Sequence, residues 1–167
     1  IRAALYFGIW SFIAILYYRG SRGQDVTGDP GVSARLRRLA GPAIIVLALT
    51  QTFASVDWIM SLTPHWYSTM FGVYFFAGSF VGFIALLSVV AVAMRRAELL
   101  DTVISPEHLH DIGKFLFAFT VFWTYIAFSQ FFLMWYANLP EETIWYKTRM
   151  EGSWLPVSLF LMAGHFV

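Results

Sequence analysis

From Ser68 to Met94 the chain runs for 27 residues without one charged side chain or histidine. An α-helix of that length rises about 40 Å, more than the ~30 Å hydrocarbon core of a bilayer. A water-soluble domain would have to wrap such a helix on every side, and the rest of the sequence has no means to do so. Of 167 residues 59% are hydrophobic and only 13% charged, with a mean hydropathy of +0.65. The solvent this composition asks for is lipid.

Five apolar segments can be marked, at about 1–18, 39–62, 68–94, 113–137 and 154–167. They predict an all-α, polytopic transmembrane helix bundle forming a single membrane domain over residues 1–167, with five spans in this segment. No initiator Met, basic leader or small-residue cleavage site stands at Ile1, and the closing apolar run Leu155–Val167 has 13 residues, short of the roughly 20 that cross a bilayer. The expectation is therefore the middle portion of a longer protein. A net charge of +1 with no basic run among stacking aromatics gives no sign of nucleic-acid binding. With no Cys, iron–sulfur ligation, c-type haem attachment, thiol catalysis and disulfides are excluded within this sequence.

The connection 19–38 carries Arg19, Arg22, Arg35, Arg37 and Arg38, and the connection 95–113, with the residue that follows it, carries Arg95, Arg96 and Lys114. The connection 63–67 has no Lys or Arg, and 138–153 has only Lys147 and Arg149. The positive-inside rule then places 19–38 and 95–113 in the cytoplasm, and 63–67 and 138–153 on the periplasmic or outer side of a bacterial inner membrane. Trp58, Trp66, Tyr67, Trp135, Tyr136, Trp145, Tyr146 and Trp154 all fall near that outer surface, where amphipathic rings favour the headgroup layer. Within 68–94, Gly78, Ser79, Gly82 and Ala85 make a small face that lets another backbone approach. The many Phe of 113–137 read as lipid-facing and interhelical filler, with a quinone-stacking wall as the alternative.

Ionisable groups inside spans are expensive and ask for a partner, a wet cavity or an interfacial place. Asp57 lies about 24 Å along its helix from Gly41, in the outer third of the bilayer. It shares a small polar stripe with Thr50, Ala54 and Ser61. His165, about 16 Å into the last segment from Trp154, is the deepest ionisable side chain. For Asp57 the choice is a hydrogen-bonded interfacial carboxylate or a proton-path member; for His165, a satisfied neutral imidazole or a relay group titrating in the working range. Tyr125, with Ser129 and Gln130 on the same helix, sits near mid-depth and can orient water without charge. Asp111 and Lys114 mark the cytoplasmic mouth of that helix, as relay members or as snorkelling interfacial groups. Glu141 and Glu142 mark the outer side, where Pro140 followed by two acids also reads as an ordinary helix start. His65, His108 and His110 fall in connections, leaving no second deep His for a membrane haem. The residues assign no catalytic, cofactor or metal site.

Three stretches make the chain recognisable: Ser55–Thr69 (SVDWIMSLTPHWYST), Phe119–Gln130 (FTVFWTYIAFSQ) and Trp135–Thr143 (WYANLPEET). Together they closely resemble the F subunit of bacterial alternative complex III, a membrane subunit related to the NrfD and polysulfide-reductase anchors. The resemblance covers the chain from about residue 40 onward. It implies a protein of about ten spanning helices inside a quinol:electron-acceptor oxidoreductase. Haem c, iron–sulfur clusters and menaquinone or ubiquinone would belong to partner subunits: a multihaem cytochrome, an iron–sulfur subunit and a sister NrfD-like subunit where quinol is oxidised. This chain would then be a scaffold without a redox centre of its own, possessing a proton route. A purely structural membrane anchor and a secondary transporter are the alternatives, the latter calling for a helix broken at the midplane around a binding site.

Overall fold

The computed structural model describes residues 1–100 and 103–166; Asp101, Thr102 and Val167, which fall within the expected 95–113 connection and the last expected span, lie outside the described residues. Every regular element among the described residues is helical: α1 (Arg2–Thr27), α2 (Pro30–Trp58), a 3-10 turn at Met60–Leu62, α3 (Phe71–Arg96), α4 (Pro106–Ala137), α5 (Pro140–Met150) and α6 (Trp154–Gly164). Three segments are long and apolar enough to cross a membrane: α2 with its following turn (Pro30–Leu62), α3 and α4. Helix α6 is apolar but has 11 residues, rising only about 16 Å. The chain divides into two compact units, Ile1–Ile59 and Met60–Val167.

The first unit is an antiparallel hairpin of α1 and α2. Its connection is two residues long. Gly28 takes a left-handed conformation (φ 65°) and donates its N–H to the Gln24 carbonyl at 2.7 Å, ending α1. Asp29 then caps α2, its carboxylate accepting the Gly31 N–H at 2.8 Å, with Pro30 at the first helical position. A Cβ on Gly20 would come within 3.0 Å of a Leu36 methyl, so the missing side chain is what lets the helices close at this end. Tyr17 donates to the Leu36 carbonyl beside it.

This corrects the expected loop at 19–38, which is helical on both sides of Gly28. Its glycines and arginines suggested a break, but Arg, Leu and Ala are good helix formers, and Gly20 and Gly23 cost less than the helix gains by continuing. Likewise the helix expected over 1–18 extends to Thr27, though it is not among the three apolar enough to cross a membrane, and α2 starts nine residues before the expected 39.

In the second unit α3 and α4 run antiparallel about a core of Ala77, Val81 and Trp123, flanked by Tyr74, Leu116, Phe119 and Ala127. The small face of α3 is used at one place: a Cβ on Gly78 would lie 3.2 Å from the Trp123 indole nitrogen, whereas one on Gly82 would meet nothing within 4 Å. Helix α4 begins in a capping box, with Ser105 Oγ accepting from the His108 N–H and His108 Nδ1 accepting from the Ser105 N–H. It ends at left-handed Asn138 (φ 49°), which turns the chain into α5. The expected loop 138–153 is therefore mostly α5, as the Pro140-Glu141-Glu142 signal implied, and the expected connection 95–113 is helical to Arg96 and again from Pro106.

Candidate functional site

The candidate residues fall into separate neighbourhoods. In the first unit Asp57 is the hub. Tyr6 donates its phenolic O–H to Asp57 Oδ2 at 2.7 Å, and Arg2 Nε lies 3.2 Å from the same oxygen. Tyr6 is buried and the Asp57 side chain is only 16% exposed, whereas Arg2 reaches its charge outward. The carboxylate is thus neutralised by a guanidinium and satisfied by a hydroxyl, the pairing that a buried charge demands. One turn inward Trp10 donates its indole N–H to Thr50 Oγ1 at 2.9 Å, so the polar stripe of α2 is matched by donors spaced one turn apart on α1. Phe7, Trp10 and Trp58 close the cluster with ring centroids 5.5–5.8 Å apart. The sequence alone gave Arg2 and Tyr6 no role. Their i, i+4 spacing on an apolar helix was the available signal.

In the second unit His165 stacks face to face on Trp123, with centroids 3.9 Å apart and planes inclined by 6°. Its Nδ1 lies 2.8 Å from the Leu161 carbonyl. A carbonyl only accepts, so Nδ1 carries the proton and Nε2 is left as the basic nitrogen. Tyr125 is not part of this contact. It follows Trp123 by two residues, a rotation of about 200°, and is 65% exposed on the other side of α4. Tyr125 and His165 therefore do not converge within the chain.

The hydroxyls along α4 are tied to their own helix. Thr120 donates to the Leu116 carbonyl, Thr124 to Thr120 and Ser129 to Tyr125. Gln130 is buried and its Nε2 donates to Ser68 Oγ at 3.2 Å. Asp111 and Lys114 form an exposed 3.0 Å ion pair across one turn. Glu141 and Glu142 occupy the first turn of α5, the position its dipole favours. Among the described residues no three His, Asp or Glu side chains gather as a metal-binding group.

An aromatic cluster whose members suggested only an interfacial belt gathers beside Gln130. Trp66 is 2% exposed, stacks on Trp145 at 4.4 Å and donates its indole N–H to the Glu142 carbonyl at 3.1 Å. Arg149 lies over the Trp145 ring, 3.1 Å from its centroid, and also donates to the Trp145 carbonyl. Burial pushes the Tyr146 phenol well above its ordinary range and lowers Arg149, so Tyr146 stays neutral throughout the physiological range. The three recognisable stretches meet here: Gln130 of the second bonds Ser68 of the first, and Glu142 of the third receives Trp66 of the first. Neither the protein-family models nor the curated protein sequences compared with the chain give a match.

Proposed function

We propose that this chain is a membrane subunit of a quinol:electron-acceptor oxidoreductase of the alternative complex III type. It carries no redox centre of its own, scaffolds neighbouring subunits and offers a proton-exchanging group at its outer side. The observation that carries the reading is the meeting of the three family-like stretches through Ser68, Gln130, Trp66 and Glu142, residues far apart in sequence. Motifs that pack together specify a common piece of architecture, which supports the resemblance. Five spans, of about ten in the whole protein, belong to the same proposal, as do the cytoplasmic placement of 19–38 and 95–113 and the outer placement of 63–67 and 138–153. Haem c, iron–sulfur clusters and menaquinone or ubiquinone are assigned to the multihaem, iron–sulfur and sister NrfD-like partners.

Within the reading, Asp57 with Tyr6 in the first unit and His165 Nε2 in the second are each a candidate proton-exchanging group. The test has two arms. Tagged protein purified from its native membrane is expected to bring multihaem and iron–sulfur subunits with it; purification alone or as a homo-oligomer would refute the assignment and favour a transporter. In the assembled complex Asp57→Asn and His165→Leu are expected to leave quinol oxidation in detergent intact and to lower the protons moved per electron in sealed vesicles. An unchanged ratio would leave a purely structural anchor. That second reading has its own support: among the described residues every buried side-chain nitrogen or oxygen has a partner, and the α4 hydroxyls are bonded locally.

A further inference from the structure

The tip of the α1–α2 hairpin carries a feature that neither the scaffold nor the proton route uses. Arg35, Arg38 and Leu39 line an open groove of about 620 Å³ with Asp29, Gly31 and Val32. Arg35 and Arg38 lie about one turn apart on α2 and share one face. Among the described residues Arg35 has no hydrogen-bond or ion-pair partner, and Arg38 has only a 3.4 Å bond from Nε to the Ala34 carbonyl on its own helix. The single carboxylate at the groove, Asp29, is engaged in capping α2. The groove is therefore net positive, and both guanidinium groups have donors to spare.

The side chains beyond Arg38 on this face point to the ligand. Leu39, Pro42, Ile45, Val46, Leu49 and Phe53 continue it at steps of three and four, all exposed, with Ile45 at 62% and Leu49 at 57%. From Leu39 to Leu49 this stripe is about 15 Å long, the hydrocarbon depth of one leaflet. It lacks the Gly, Ala, Ser and Thr that let a second helix pack closely in lipid. Its bulky side chains, headed by two guanidinium groups with donors to spare, suit one amphiphile: a charged head above flexible chains.

We infer that Arg35 and Arg38 bind the phosphate of an anionic phospholipid whose acyl chains lie along Leu39 to Leu49. The inference uses only the capacity of α2 to span a membrane and does not rest on the oxidoreductase assignment. Arg suits the task because its planar fork meets phosphate oxygens in pairs. The groove at the other basic end, lined by Val92, Arg95, Arg96 and Leu109, has a similar make-up, but Arg95 there is already engaged.

The test is native mass spectrometry of the full-length protein, purified in detergent with whatever subunits accompany it. The added lipids are phosphatidylglycerol or phosphatidylcholine with identical acyl chains. Parent protein is expected to retain phosphatidylglycerol preferentially, and Arg35→Gln/Arg38→Gln to weaken that retention roughly 30-fold, about fivefold for each guanidinium. Arg22→Gln/Arg37→Gln, which removes equal charge elsewhere on the tip, is expected to change it less than about threefold. A diazirine-bearing phosphatidylglycerol should label parent protein within residues 35–49, a readout that needs no variant to fold. Equal retention of the two lipids, equal loss in both double variants, or labelling mainly elsewhere would each overturn the inference. Displacement by glycerol 1-phosphate would do so by showing a soluble-phosphate site. Loss of labelling when partner subunits are present would show that a protein covers the face instead.

Discussion

Trp66 is the most deeply buried tryptophan among the described residues and ties α5 to the segment before α3. The side chain is 2% exposed, stacks on Trp145, meets Phe71 edge-on at 5.5 Å and donates to the Glu142 carbonyl. Truncation to Ala removes a buried indole, which costs about 3–5 kcal/mol where the site cannot collapse. A closely stacked ring pair contributes roughly 0.5–1.5 kcal/mol of that beyond area alone. Trp66→Phe keeps most of the contact area and loses the N–H. Because the Glu142 carbonyl sits inside α5 and retains its helical partner, no buried acceptor is orphaned, and the loss should be about 1 kcal/mol. The expected order is therefore parent, then Phe, then Ala, with the Ala step at least twice the Phe step. Unfolding of purified protein in mixed micelles titrated with sodium dodecyl sulfate, followed by circular dichroism, reads these differences directly. Equal losses for Phe and Ala would make the hydrogen bond dominant and refute the packing account. No loss for either would mean that the Trp66–Trp145 stack is absent from the folded protein in micelles.

Three further outcomes are expected from the same geometry. Gly78→Leu is expected to destabilise the second unit, because its side chain would strike the Trp123 indole, whereas Gly82→Leu meets open space and should lower the yield only of an assembly whose partner packs there; equal effects on the isolated chain would refute this contrast. A single Cys at Gly23, where a Cβ is unobstructed, should react with impermeant maleimide only from the cytoplasmic side and one at exposed Thr148 only from outside, and the reverse pattern would invert the proposed sidedness. Tyr6→Phe should lower the proton-to-electron ratio of the assembled complex in the same direction as Asp57→Asn while leaving detergent turnover unchanged, and a parental ratio would detach the hydroxyl from the route.

Three of the five expected spans were legible because long uncharged runs leave few alternatives; 68–94 differs from α3 by three residues at one end and two at the other. The helix ends were less so. At Gly28-Asp29-Pro30 the signals for a stop, a cap and a start sit side by side, and the surrounding arginines made the whole region resemble a loop. Ser105 and Pro106 carried a start signal completed by His108 where Glu or Gln is more usual. For the candidate site, depth along a helix could be counted from sequence, but azimuth relative to other helices could not. That is why Asp57 was visible and its partners Arg2 and Tyr6 were not, and why Tyr125 and His165, similar in depth, turn out to face different ways. Trp66 read as an interfacial anchor because its burial depends on α5, which folds more than 70 residues later.

Pro42 lies inside α2, and a proline has no N–H to give to the carbonyl four residues before it, that of Arg38. Hydrocarbon offers no substitute donor, so that carbonyl must remain within reach of water, of headgroups or of a guanidinium. The helix cannot then slide inward past this point without stranding the Arg38 oxygen, and Asp57, fifteen residues beyond Pro42 and about 22 Å further along the helix, is held at a set distance from that hydrated end. A missing hydrogen thus adds to the anchoring that Arg35, Arg37 and Arg38 already give: Pro42→Ala would restore the bond and leave the arginines alone to set the level of α2.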